Sequence, residues 1–334
     1  MARPLVLTSS AVGFSRADPA ATTQGKLRFR GGVLLTSTDH DFGGLSGLLV
    51  SADGRRFIAV SDEAHWVTGT LEYEGGNLAR AAGKTIAPML DLAGKPMAAK
   101  AGDAEGLASA EDGDPSGDLF VSFEGEHRVW RYPFGKDGVH AVPVDLPLPP
   151  EVHRAPHNGG IEGITRIADG MLFAVSERYL DEAGDYRAWI LPFDRAGSSA
   201  QHPATPGSAA APGGRAVSLL PLRPFVMTDV HQLPDGDLLT LERRYSPVRG
   251  VGVQLRRIPG ASLREPAESG KAIPAMPLDG EVVATFDADY EIDNMEGLSV
   301  RRAESGETLV YVVSDDNFNA PLQRTLLFMY ELQP

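Results

Sequence analysis

The chain has 334 residues, 42% of them hydrophobic and 23% charged, which is ample material for a buried core. Its formal net charge of −14 argues against nucleic acid and against an anionic membrane surface, since both are met by a basic face. There is no cysteine, which excludes disulfides, thiolate zinc sites and cysteine nucleophiles.

The 37 glycines and 25 prolines punctuate the sequence at short intervals, the pattern of many turns between short strands, and so point to an all-β fold. The N-terminal stretch MARPLVLTSSAVGF lacks the apolar run of a signal peptide. No run long and apolar enough to span a membrane follows it, so membrane insertion is not expected.

From residue 44 onward the chain repeats itself. The segments GLSGLLVSADGRRFIAVSDE, DAEGLASAEDGDPSGDLFVSFE, GIEGITRIADGMLFAVSER, MTDVHQLPDGDLLTLER and NMEGLSVRRAESGETLVYVVSDD share one order: a small or acidic residue, an apolar residue, a turn, an alternating strand and then an acidic residue. Their anchors Ser46, Glu105, Glu162, Asp229 and Glu296 recur at a spacing of about sixty residues. In most units a hairpin signal, such as Asp53-Gly54, Asp169-Gly170, Asp235-Gly236 or Ser305-Gly306, joins two apolar runs.

Two further β-like runs follow in most units, as in Val129 to Tyr132 with Val139 to Val144, or Val251 to Ile258 with Glu281 to Phe286. Four strands per repeat describe a propeller blade. The expectation is therefore one β-propeller spanning residues 1–334, with about five four-stranded blades, or six if residues 1–40 build one of their own. The last unit stops at its third strand, Thr325 to Glu331, so Lys26 to Thr36 is expected to supply the missing outer strand and close the ring. The Ser, Ala, Pro and Gly-rich stretch 197–214 reads as a flexible insertion loop, and 260–279 as a second excursion.

In a propeller the first strand of each blade lines the central channel, so Glu105, Glu162, Asp229 and Glu296 are expected to converge there. A second acidic set, Asp62, Glu124, Glu177, Glu242 and Asp315, ends the second strands. Clustered carboxylates repel unless a cation or donors offset them, and ligands made only of oxygen favour calcium or magnesium. The same Glu-Gly repeat also fits a structural role, in which each carboxylate receives backbone amides that fix its blade.

Arg178 and Arg243 directly follow acidic residues and are the candidate ligands for a phosphate oxygen, for which a guanidinium supplies planar paired donors. A bound metal polarises phosphorus and lowers the pKa of water, so no covalent nucleophile is required. The sequence has no Gly-x-Ser-x-Gly elbow, His-Glu-x-x-His helix or phosphate-binding loop.

The series FGGLSGL, AVSDEAHW, DAEGLA, VSFEGEHRVWRY, GIEGI, AVSER and NMEGLSV with VVSDDNFN resembles the phytase-like family of bacterial propellers over about residues 26–332. The resemblance implies an architecture related to calcium-dependent phytases, a hydrolase acting on ester bonds, and a periplasmic or secreted location. Carried over position by position, it implies ligands at Glu105, Glu162 and Glu296 and at Asp62, Glu124, Glu177 and Asp315. Ser46 and Asp229 depart from the motif.

The leading expectation is a metal-dependent phosphoesterase or related ester hydrolase working in the channel on a small anionic ester. Its catalytic candidates are Glu162, Glu177, Arg178 and Arg243, and its metal ligands are drawn from Glu105, Glu162, Asp229, Glu296, Asp62, Glu124 and Asp315 around Ca2+. A calcium-dependent lactonase and a non-catalytic periplasmic binding or scaffold propeller are the alternatives. The sequence singles out no protein partner.

Overall fold

In the computed structural model, which describes all residues except 99–101, 112–114, 168–169, 194–213 and 264–275, the alternating runs pair into five antiparallel sheets. The first strands of the sheets are Leu45–Val50, Ala104–Ser109, Ile161–Ile167, Val226–Gln232 and Asn294–Arg302. Each packs against the first strand of the blades before and after it, the last returning to the first, so they form a closed ring of five inner strands. The molecule is a five-bladed β-propeller, and the six-bladed alternative is set aside because residues before 40 join existing sheets.

Ring closure follows the expected route. Leu27–Thr36 pairs antiparallel with Thr325–Leu332, with Leu326 opposite Leu34 and Leu332 opposite Leu27, and becomes the outer strand of blade five. Thr8–Ala11 then covers its free edge and Thr23–Gln24 pairs its start, while Arg3–Pro4 extends the outer edge of blade one. The two ends of the chain are thereby held by one sheet, and an unpaired strand edge is covered.

Each interface between blades is a layer of apolar side chains from alternating positions of the strands. Leu241, Leu255, Phe286, Leu298, Val312 and Phe328 fill the space between blades four and five. Trp66, Phe123, Trp130 and Tyr132 do the same between blades one and two, with Trp66 and Tyr132 edge to face at 5.1 Å.

One expected strand is different. The run from Val139 to Val144 is not an outer strand: residues Phe134–Asp137 form a single helical turn, Gly138–His140 a 3₁₀ turn, and only Val144–Asp145 pairs with Arg128–Tyr132. Pro133, Pro143 and Pro147 stand at this stretch, and a residue without an amide hydrogen cannot donate to a ladder. The insertion at 197–213 and most of the excursion at 260–279 lie outside the described residues, as does Asp169 of the third hairpin signal.

A carboxylate-lined channel mouth

The repeated Glu-Gly has a geometric origin. Ladder register slips at this point in the blades: between Leu45 and Gly47, Ile161 and Gly163, and Met295 and Gly297 on the inner strands, and opposite Glu105 and Gly106 in blade two. The bulged residue is turned out of the ladder. The glycine after it lies against the next inner strand: an added Cβ would stand 2.6 Å from the Glu162 carbonyl at Gly106, 2.7 Å from the Glu105 carbonyl at Gly47, and 2.9 Å from the Ser46 carbonyl at Gly297. Crowding around the narrow ring demands glycine, and the bulge beside it presents the acid.

In blade four the slip falls between Met227 and Asp229, so Thr228 occupies the bulge and Asp229 stands where the other blades carry glycine. The repeat is thus displaced by one residue from the alignment that placed Asp229 beside Glu296. The buried Asp229 carboxylate accepts the amides of Val230 at 2.8 Å and of Leu298 in blade five at 2.7 Å. Burial holds its pKa well above the usual carboxylate range, against the pull of those two amides.

The other acids gather at one mouth. Among the described residues, Asp103, Glu105 and Glu124 each offer a carboxylate oxygen, all within 4.8 Å of one another. Glu162 is next in the ring, 7% exposed, with Oε2 buried and lacking any partner. Asp62 likewise has a buried, unpartnered Oδ1. Gly44, in the left-handed region at φ 58°, lies so close that a Cβ there would stand 2.1 Å from this oxygen.

On the other side of the mouth, Asn294 Nδ2 donates to Glu296 Oε1 at 2.8 Å and to Asp315 Oδ2 at 3.2 Å. Arg243 Nη2 lies 3.1 Å from the same Glu296 oxygen, and Arg178 Nη2 donates to Glu177 Oε1 at 2.9 Å. Glu124 Oε1 accepts the Gly160 amide at 2.7 Å.

Burial in company of like charge raises the pKa values throughout. Glu105 stands well above the usual range through burial and then the charge of Glu296, and Glu162 through burial and then Glu105. Burial lifts Glu296 to about 8 against the opposing charge of Arg243, and lifts Asp62 and Glu124 to about 7. Asp315 reaches about 6 by burial, offset by the Asn317 amide. Glu177 is raised by burial, with Arg178 and Arg243 pulling the other way.

The structure therefore brings Asp62, Glu105, Glu124, Glu162, Glu177, Glu296, Asp315 and Arg243 into one electrostatic cluster, puts Arg178 on its rim, and turns Asp229 to backbone amides. Sequence reasoning missed Asp103 and Asn294. Their signal is the shared pattern Asp-x-Glu-Gly and Asn-x-Glu-Gly, in which a polar residue stands two before the bulged acid.

Glu242 is spoken for: Arg256 Nε donates to its Oε1 at 2.7 Å, Gln254 to Oε2 at 2.6 Å and Thr240 to Oε1 at 3.0 Å, all buried. Beside the cluster opens a cavity of about 740 Å3, lined by Arg243, Asn294, Glu296, Asn317 and Phe318, with Tyr245 on its rim. Asn317 and Phe318 both adopt positive φ, held there by Asp315 Oδ1 on the Asn317 amide at 2.6 Å and Asp316 Oδ1 on the Phe318 amide at 3.2 Å. Such backbone is costly and persists where surrounding contacts fix it.

Fold and mouth together define a five-bladed β-propeller whose channel opens through a cluster of carboxylates, with an unpartnered buried oxygen at Glu162 and at Asp62. The family model described as "Phytase-like: Esterase-like activity of phytase" matches residues 40–318, and the chain belongs to that family. The family suggests an esterase-like hydrolase on a propeller.

No curated protein matches the chain. Among solved structures it is similar to the alpha-L-arabinofuranosidase PaAbf62A from Podospora anserina, at TM-score 0.48 and 13% identity over 93% of this chain and 98% of that one. A glucose dehydrogenase matches at TM-score 0.41 and 14% identity over 90% and 98%, and the RRP9 WD40 repeats at 0.40 and 9% over 96% and 100%. At these scores the likenesses carry no functional argument. No helix among the described residues is long and apolar enough to cross a membrane.

Proposed function

We propose that the carboxylate mouth holds a divalent cation, Ca2+ by its oxygen-only donors, and that the protein hydrolyses a small anionic ester, a phosphoester above all, in the adjoining cavity. The observation that carries this reading is the pair of buried carboxylate oxygens without a partner, Glu162 Oε2 and Asp62 Oδ1, beside the Asp103, Glu105 and Glu124 trio whose oxygens lie within 4.8 Å of one another. Buried acceptors are normally partnered, and a harder positive charge than any side chain here supplies fits the gap.

Asp103, Glu105 and Glu124 would hold the ion, with Glu162 and Asp62 completing its oxygen shell. When bound, the ion supplies Lewis-acid polarisation of the ester and charge neutralisation. Arg243, already against Glu296 and lining the cavity, and Arg178 at the rim bind and orient the anionic group through paired N–H donors. Glu177 fixes Arg178, and Glu296 with Asn294 fixes Arg243. The cavity volume suits a small molecule. The family's usual export supports a periplasmic or secreted setting, where calcium is plentiful.

Metal content by mass spectrometry, with hydrolysis of an aryl phosphate before and after chelation, tests the reading. Stoichiometric calcium, with activity lost on chelation and in Glu105→Gln, is the expected result. Bound calcium without turnover of phosphate, carboxylate or lactone esters would leave a binding propeller, and no bound metal would overturn the proposal.

A further inference from the structure

The opposite mouth of the ring is built from the far ends of the same inner strands, and its chemistry is inverted. Arg166 of blade three, His231 and Gln232 of blade four, and Arg301 and Arg302 of blade five line a cavity of about 620 Å3 with Ala52 of blade one. Four residues separate Glu162 from Arg166 and five separate Glu296 from Arg301, so this cavity lies roughly 13 to 17 Å down the strands from the acidic mouth at about 3.3 Å per residue.

Arg301 is held in place by neutral groups alone. Its Nε donates to the Tyr311 hydroxyl at 3.1 Å and its Nη1 to the Ala52 carbonyl at 3.5 Å. The guanidinium lies over the rings of Tyr311 and Tyr73, 5.7 and 6.0 Å from their centroids. Tyr73 is itself fixed by donating to the Gly54 carbonyl at 2.6 Å, and burial keeps its phenol neutral by raising its pKa far above the usual value.

Among the described residues, no ion pair joins Arg301 or Arg302 to a carboxylate. The one carboxylate among the described residues that line the cavity, Asp235, is taken by Arg257 at 2.6 Å. At His231, Nδ1 must donate to the Gln232 carbonyl at 3.0 Å, which leaves Nε2 as the ring's acceptor. In a chain of net charge −14, a concave site into which neutral groups hold the Arg301 guanidinium is a place for an anion.

We infer that this second mouth binds a small oxyanion of the phosphate type: Arg301 supplies its remaining N–H donors to the oxygens, Arg302, the next residue of the same strand, adds positive charge at the rim, and His231 accepts the remaining hydroxyl hydrogen. This site is independent of the cation reading at the other mouth, because none of its residues belongs to the carboxylate cluster.

The test is calorimetric titration of the full-length, chelator-treated protein with inorganic phosphate at low ionic strength. Saturable binding is expected, weakened tenfold or more in Arg302→Glu, and likewise in Arg301→Met, and unchanged in Arg80→Met, at an exposed position on the outer strand of blade one that belongs to neither mouth. Arg302 is exposed and its replacement leaves the core untouched, so it answers even if loss of the Arg301 stacking unfolds the chain. Absence of phosphate binding, binding indifferent to Arg302→Glu, or binding weakened as much in Arg80→Met would overturn the proposal.

Discussion

Blade four and its neighbours treat the same problem in two ways. At the end of its second strand each of blades two to five carries a buried acid, yet only Glu242 of blade four meets a full set of internal donors, from Arg256, Gln254 and Thr240. Its bulge holds Thr228, and its remaining channel acid, Asp229, latches two amides across the blade boundary. In blades two and three, Glu105, Glu162 and Glu124 sit in mutual repulsion with their pKa values raised. The contrast separates acids that stabilise the fold from acids kept unsatisfied. A buried acid that costs stability and gains no internal partner is the expected mark of a site.

The sharpest way to break this contrast is to create in blade four the situation of blade two. Arg256→Met leaves Glu242 buried beside only neutral donors, and removal of one partner from a buried ion pair costs about 3–5 kcal/mol. The unfolding midpoint in urea should fall accordingly, and the double change Arg256→Met with Glu242→Gln should recover much of the loss. An Arg256→Met protein as stable as the parent would show that Glu242 was never held by that pair. A smaller effect is expected from Gly106→Ala, whose Cβ would stand 2.6 Å from the Glu162 carbonyl. Such overpacking costs about 1–3 kcal/mol, and the same change at the solvent-facing Gly75, with nothing within 4 Å, costs only the strain of its positive φ.

The ring, its closure by Leu27–Thr36 and the grouping of Glu105, Glu162 and Glu296 were legible in the sequence, because strand alternation and a repeat of about sixty residues both record the architecture. Blade four was read one residue out of register. Its Met-Thr-Asp-Val lacks the Glu-Gly marker, and an acid near the right place passes for the motif until the bulge shows which residue leaves the ladder. The partners of Glu242 were invisible for another reason: Gln254 and Arg256 lie on the next strand, and only the pairing register puts them opposite. The short outer strand of blade two was missed because apolar alternation at 139–144 outweighed the prolines around it.

The acidic mouth also predicts how stability should depend on pH, and the sign is opposite to that of ordinary salt-bridged carboxylates. Asp315, Asp62, Glu124 and Glu296 titrate in the folded protein at about 6, 7, 7 and 8, against about 4 in the unfolded chain. Between pH 4 and 8 the folded state therefore holds protons that the unfolded state has released, and stability falls as pH rises through this window. The chelated protein should lose several degrees of Tm from pH 5 to pH 8, and calcium should flatten that slope. A Tm that rises with pH over this range in chelator would contradict the pKa pattern.

The smallest effect is the most discriminating. Glu162→Gln keeps the shape of the side chain and removes a buried acid, raised in pKa by burial, that carries an unpartnered oxygen. In the chelated protein it should raise stability by about 1 kcal/mol, roughly 2 °C in Tm for a chain of this size, while calcium, which stabilises the parent, should lose most of its effect on the variant. If Glu162 were instead a structural acceptor like Asp229, the same substitution would lower stability with and without calcium, and the response to the ion would be unchanged. The two roles thus differ in the sign of one measured shift, which places Glu162 on one side or the other of the division that blade four exposes.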